Sequence, residues 1–157
     1  MVVYIIQVTF KERYAILAFL EDLMTDYIKL YFTTTSGQVE PSGDGVGEPV
    51  SYTLRADLNE IGEWTALYAL ATSGYTCSGV EVTPSGTTYL KWQLTADAGG
   101  GATPSGVPMD YGALLELGQV GNVTPIYFHA RAKATDDEEP IRDETVTLNV
   151  TGIAAAE

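Results

Sequence analysis

The chain has one cysteine, one histidine and only eight lysines and arginines among its 157 residues. Each shortage excludes something. A lone Cys77 forms no intrachain disulfide, so a small stapled fold is out. One cysteine and one histidine cannot build a usual zinc site. Nucleophilic serine chemistry would have His129 as its single candidate imidazole base, and no G-x-S-x-G turn is present to carry the serine. The eight cations face 21 carboxylates, for a formal net charge of −13. Nucleic acid is bound by neutralising its phosphates with cations, so a free-standing nucleic-acid binder is disfavoured, and so is docking on an anionic membrane. The one basic cluster, Arg131, Lys133 and Arg142, is small and lies beside an acidic stretch. Long apolar runs are also missing. Met1–Ile6 is apolar but has no basic leader, and Gln7 and Lys11-Glu12-Arg13 interrupt it, which suits neither a signal peptide nor a membrane span.

What is present suits a β protein. A length of 157 residues suggests one domain, able to bury about two-thirds of its unfolded surface without metals or disulfides. Sixteen glycines and seven prolines punctuate the chain often, as many short strands require. The clearest pattern is at the end. Ile126, Phe128, Ala130, Ala132 and Ala134 alternate with Tyr127, His129, Arg131 and Lys133, and Val146, Leu148 and Val150 alternate with Thr145, Thr147, Asn149 and Thr151. A period of two marks strands with one buried and one wet face. The acidic stretch Asp136-Asp137-Glu138-Glu139-Pro140 joins them as an exposed connection.

Upstream, Tyr27 to Thr35 reads as a strand, and Val50, Tyr52, Leu54 and Ala56 as another. Residues 59–72 suit either a helix, with Asp57 and Glu60 as a capping box, or a strand alternating from Trp64 to Thr72; the β surroundings favour the strand. Tyr75–Val82 and Thr87–Ala96 read as a strand pair around Thr83-Pro84-Ser85-Gly86, with Leu90, Trp92 and Leu94 inward and Tyr89, Lys91, Gln93 and Thr95 outward. Asp97–Asp110 is a flexible loop, and Ala113, Leu115 and Leu117 mark a further strand. Lys11–Thr25 has helical spacing, although a wholly β reading also fits. The expected organisation is residues 50–157 as an antiparallel β-sandwich. Residues 1–49 form an N-terminal extension that holds the possible helix and the first strands, packed on the sandwich or exchanged between subunits.

From Thr53 onward, this order of motifs resembles the immunoglobulin-like modules of tailed-bacteriophage virion proteins. The resemblance rests on Trp64-Thr65-Ala66-Leu67-Tyr68-Ala69-Leu70-Ala71, on Tyr89-Leu90-Lys91-Trp92-Gln93-Leu94, and on the strand from Tyr127 to Ala134 followed by the acidic link and the closing strand to Gly152. It implies an immunoglobulin-like sandwich and a structural subunit of a capsid or tail. Such a subunit has no active site or cofactor, binds the major capsid or tail protein and its own copies, and is made in a host cytoplasm and carried in the virion. The expected interface is Tyr4, Ile6 and Tyr14 of the extension with the strand face Tyr127, His129 and Arg131. The number of tyrosines, among them Tyr4, Tyr27, Tyr31, Tyr75, Tyr89, Tyr111 and Tyr127, favours a protein-binding surface, because the ring packs while the hydroxyl stays bonded.

Other chemistry is thinly supported. Asp136, Asp137, Glu139 and Asp143 are a weak calcium candidate: the spacing is not that of an EF-hand, and a solvated loop that discourages edge pairing is the favoured reading. Glu60, Glu63, Glu116 and Asp110 have no spacing that singles out a glycosidase pair. Gly99-Gly100-Gly101 lacks the Lys-Ser/Thr of a phosphate loop. A carbohydrate-binding or adhesive module is the alternative from another class. It expects Trp64 or Trp92 exposed on a flat face, whereas the structural reading buries both.

Overall fold

The computed structural model describes residues 27–33, 39–40, 48–136 and 146–157. Within them the chain is mainly β, with seven strands in two antiparallel sheets and helix limited to two single 3-10 turns, Ala56–Leu58 and Tyr89–Lys91. The strands in chain order are β1 (Ile28–Phe32), β2 (Val39–Glu40), β3 (Glu48–Pro49), β4 (Thr65–Ala71), β5 (Tyr75–Ser85), β6 (Trp92–Ala96), β7 (Leu115–Val120), β8 (Ile126–Ala132) and β9 (Thr147–Ala156). β2 and β3 form only a short parallel pair. The larger sheet has the order β1-β4-β8-β6 and the smaller β7-β5-β9. Lys11–Thr25, with its helical spacing, lies outside the described residues.

One core joins the two sheets. Leu30, Leu67, Ala69, Leu94, Phe128 and Ala130 come from the larger sheet, and Cys77, Val80, Val82, Leu115, Val120 and Leu148 from the smaller. Phe128 is the largest side chain with no exposure. Cys77 is fully buried among them, and burial pushes its thiol pKa up. The inward phase of β8 is the one its alternation predicts: Phe128, Ala130, Ala132 and Ala134 are all buried. In β4, the strand reading of residues 59–72 holds, with Leu67, Ala69 and Ala71 inward.

Two expectations fail, each for a tertiary reason. Residues 50–57 form no strand. Tyr52, Leu54 and Ala56 still turn inward while Ser51, Thr53 and Arg55 are exposed. The ladder position beside the end of β8 is instead occupied by Glu60–Gly62: Gly62 N–H donates to Ala132 O (2.8 Å) and Ala134 N–H to Glu60 O (2.8 Å). Alternating exposure therefore reports facing, not pairing.

Second, β5 and β6 are not a hairpin. β5 runs on through Thr83-Pro84-Ser85, where Thr83 pairs with Asn149 and Ser85 with Thr147. Pairing with β7 stops at Val82, so the proline lies where β5 is locally an edge and a missing N–H costs little. The chain then crosses to the larger sheet through the 3-10 turn, which leaves Leu90 60% exposed instead of in the core. β8 and β9 belong to different sheets, so the acidic stretch that joins them links the two sheets.

Candidate functional site

The outer face of the larger sheet gathers aromatic, cationic and buried polar side chains. Register sets its contents. Tyr31 on β1 lies opposite Tyr68 on β4, and Tyr68 opposite Tyr127 on β8, so three tyrosines form a row across three strands. Tyr31 and Tyr68 stack with centroids 5.0 Å apart, and Tyr127 meets Tyr68 edge-on at 6.0 Å. The hydroxyl pKa of Tyr68 is raised, first by burial and then by its two tyrosine neighbours. One step along, Ala66, His129 and Thr95 are in register. Beyond them, Arg131 Cζ sits 4.1 Å from the Trp64 ring centroid, a cation–π contact. Arg131 Nε donates to Gln93 Oε1 (2.9 Å).

The loop from Asp97 to Tyr111 roofs the β6–β8 half of this face. Asp97 N–H donates to Tyr127 O (3.1 Å), Gln93 Nε2 to Met109 O (2.7 Å), Met109 N–H to Leu94 O (2.8 Å) and Gly112 N–H to Trp92 O (2.7 Å). The last two also occupy the free edge of β6. Two glycines are required for the roof to lie this close. A Cβ at Gly100, whose φ is +66°, would come 2.7 Å from the Tyr127 ring, and one at Gly106 would collide with Ala96 O. Lys133 Nζ lies 4.1 Å from the Tyr111 ring centroid at the end of the roof.

Roofing overturns part of the expected interface. His129 has no exposure at all, so it is no part of an accessible strand face. Gln93 and Thr95, expected outside, are buried with it for the same reason. Tyr127 and Arg131 stay half-buried on that face. Tyr4, Ile6 and Tyr14 lie outside the described residues.

Between the roof and the start of β4 is a cleft of about 480 Å³, lined by Thr33, Trp64, Thr65, Ala66 and Gly100–Ala102. Trp64 is half-exposed here. Trp92 faces the other way, packs against the core and meets Tyr52 edge-on at 5.4 Å. The Tyr52 hydroxyl donates to Ala130 O (2.6 Å) and lies 2.8 Å from the Thr65 hydroxyl. Burial pushes its pKa up to about 12, against smaller lowering effects of Thr65 and Arg131.

Of the calcium candidates, Asp136 is exposed and its N–H donates to Asn59 Oδ1 (3.0 Å); Asp137, Glu139 and Asp143 lie outside the described residues. Among the described residues, no three His, Cys, Asp or Glu side chains gather to hold a metal ion. Glu60 accepts from Arg55 N–H through Oε2 (2.7 Å), and its own N–H donates to Arg55 O (3.1 Å), closing the turn at 55–60. Asp97 and the Trp64 cleft were not foreseen. The tyrosine row had a legible trace, three tyrosines each at the outward phase of a strand, but their alignment needs register. Comparison with protein-family models, with curated proteins and with solved structures finds no match to this chain.

Proposed function

We propose that the protein is a non-enzymatic structural subunit of a virion, a decoration (cement) protein that binds a capsid lattice through the outer face of its larger sheet. The observation that carries this reading is the half-buried row Tyr31–Tyr68–Tyr127. It is a rigid aromatic strip next to Arg131 and Trp64, and aromatic rings and arginine are the side chains enriched in protein interfaces. The −13 charge supports a basic or neutral partner and solubility at high local concentration. The immunoglobulin-like part of the reading rests on seven strands divided four and three, as in constant-type domains. The topology differs from that type in two respects: the fifth and sixth of the seven exchange sheets, and the third strand, not the exchanged one, is central in the three-stranded sheet.

The test is mass in solution by light scattering from low to high concentration, for the native chain and for Tyr68→Ser. A defined oligomer or concentration-dependent assembly that Tyr68→Ser weakens supports a lattice subunit. A strict monomer retained on a polysaccharide matrix overturns it in favour of the second reading, a glycan-binding or adhesive module. That reading is favoured by one observation, the half-exposed Trp64 at the side of an open cleft with the small Ala66 beside it.

A further inference from the structure

We propose that His129 and Asp97 form a proton-dependent latch that holds the roof over the outer face and with it one wall of the Trp64 cleft. The inference stands on a count of donors and acceptors and is independent of the function proposed above. His129 is wholly buried, and the Asp97 side chain is 4% exposed. Two oxygens face the imidazole. Gly101 O lies 2.7 Å from Nε2, and Asp97 Oδ2 lies 3.8 Å from Nδ1. Neither Nδ1 nor Oδ2 has any other partner.

A neutral imidazole has a single N–H and can serve only one of these acceptors; an imidazolium has two and can serve both. The neutral ring with its proton on Nε2 leaves a nitrogen lone pair facing a carboxylate in a site without water contact, an expensive arrangement. With the second proton, Nδ1–H points at Oδ2, and a short approach of the loop completes the bond.

The surroundings leave Asp97 as the group that decides. Among the described residues, β4 presents Ala66 and the Trp64 ring, 6.4 Å away edge-on, and β6 presents Thr95. The titratable or charged groups nearby are Asp97 on the loop, with Tyr127 and Arg131 two positions away on β8 itself. Arg131 is turned to Trp64 and Gln93, and Tyr127 to Tyr68 and Gly100. Asp97 is also fixed from the loop side, since its Oδ1 accepts from Ser105 Oγ (2.7 Å) and Ser105 N–H (3.3 Å). Burial raises its pKa. The Ser105 bonds, the Gly99 N–H and His129 outweigh that and bring the carboxyl below its ordinary value.

The sign follows from both groups. Because the Asp97 pKa is depressed in the fold, its contribution is present above the ordinary aspartate range and is lost as pH falls through the depressed value. The imidazolium is the form that serves both acceptors, so loss of the Nδ1 proton also opens the latch. The latch is therefore closed only with Asp97 ionised and His129 doubly protonated. Loss of the Nδ1 proton unlinks Asp97 from the ring while Nε2–H keeps its bond to Gly101 O, so the roof beside the cleft is tied to the ring at one point instead of two.

His129 is the single histidine, so its ring can be followed by NMR in the full chain without assignment ambiguity. The experiment records imidazole nitrogen shifts and amide-exchange protection factors at Gly99–Ala102 across a pH series. The expected result is protection about tenfold higher with the doubly protonated ring, with a midpoint shared by ring and amides. In Asp97→Asn, protection no longer tracks the ring proton. Protection that ignores the ring's protonation in the native chain overturns the latch, and so does a dependence that survives in a folded Asp97→Asn. If Asp97→Asn does not fold, the native series decides alone.

Discussion

The two sheets share one core and treat their outer faces in opposite ways. The smaller sheet turns out Glu81, Thr83, Ser85, Glu116, Asn149 and Thr151, small, polar or charged residues that water can solvate, with one large apolar residue, Ile153, among the described outward residues of β9. Where they bond it is locally and laterally: Asn149 Nδ2 donates to Ser85 Oγ (2.7 Å), and Ser85 Oγ lies 2.9 Å from Thr147 Oγ1. The larger sheet turns out Trp64, three tyrosines, His129, Gln93 and Arg131, then covers half of them with a loop. A face that only needs solubility is served by alternation. A face that spends two glycines, a buried histidine and a fitted roof is organised for more, and it is there that a binding surface is proposed.

The comparison can be broken or sharpened by substitution. The largest effect is expected where the sheets are not separable: Phe128→Ala should cost about 3–5 kcal/mol by chemical denaturation, because it empties the centre of the shared core. Next is the roof. Gly106→Ala sets a methyl against Ala96 O and should cost about 1–3 kcal/mol. Amide exchange should quicken at residues 99–106 and stay unchanged in β5 and β9. Equal loss in both sheets would mean that the roof is not a separate layer.

Tyr52→Phe should cost about 1 kcal/mol through the bond to Ala130 O. This position also sets a pH dependence. The folded pKa of Tyr52 is raised from 10.0 to about 12, so its contribution is whole below pH 10 and is lost as pH climbs toward about 12. Denaturation midpoints followed through that range should fall less steeply for Tyr52→Phe than for the native chain. The smallest effect belongs to the plain face. Glu116 lies directly opposite Glu81, and Glu116→Lys should stabilise by about 0.2–1 kcal/mol, a gain that salt reduces. Destabilisation there would show that this face, too, is organised beyond solvation.

Legibility follows the same division. In β8 and in the Leu148 phase of β9, the inward residues were readable because one side of each strand is apolar and a slip of one residue would expose it. The outward side was readable only where nothing lies on it. His129, Gln93 and Thr95 stand at polar positions of an alternating pattern, and that pattern carries no sign that Asp97–Tyr111 will fold back over them. Leu90 misled in the opposite sense: an apolar residue two before Trp92 suits a strand, but the 3-10 turn needed to change sheets leaves it in water. The hairpin expected around Pro84 failed because turn-favouring residues were read without knowing that β7 stops short of them.

By itself the sequence determined the mainly β class of the fold, the exclusion of an intrachain disulfide, the acidic balance and the inward phase of most strands. These depend on side-chain chemistry and on a period of two, which are local. Tertiary structure decided which strands share a sheet, which segment takes the place beside β8, and that a histidine at a nominally wet position is sealed against an aspartate 32 residues earlier in the chain. Such outcomes depend on long-range register and loop closure. A wet and a roofed strand face can be written with the same alternation, and only the packed molecule tells them apart.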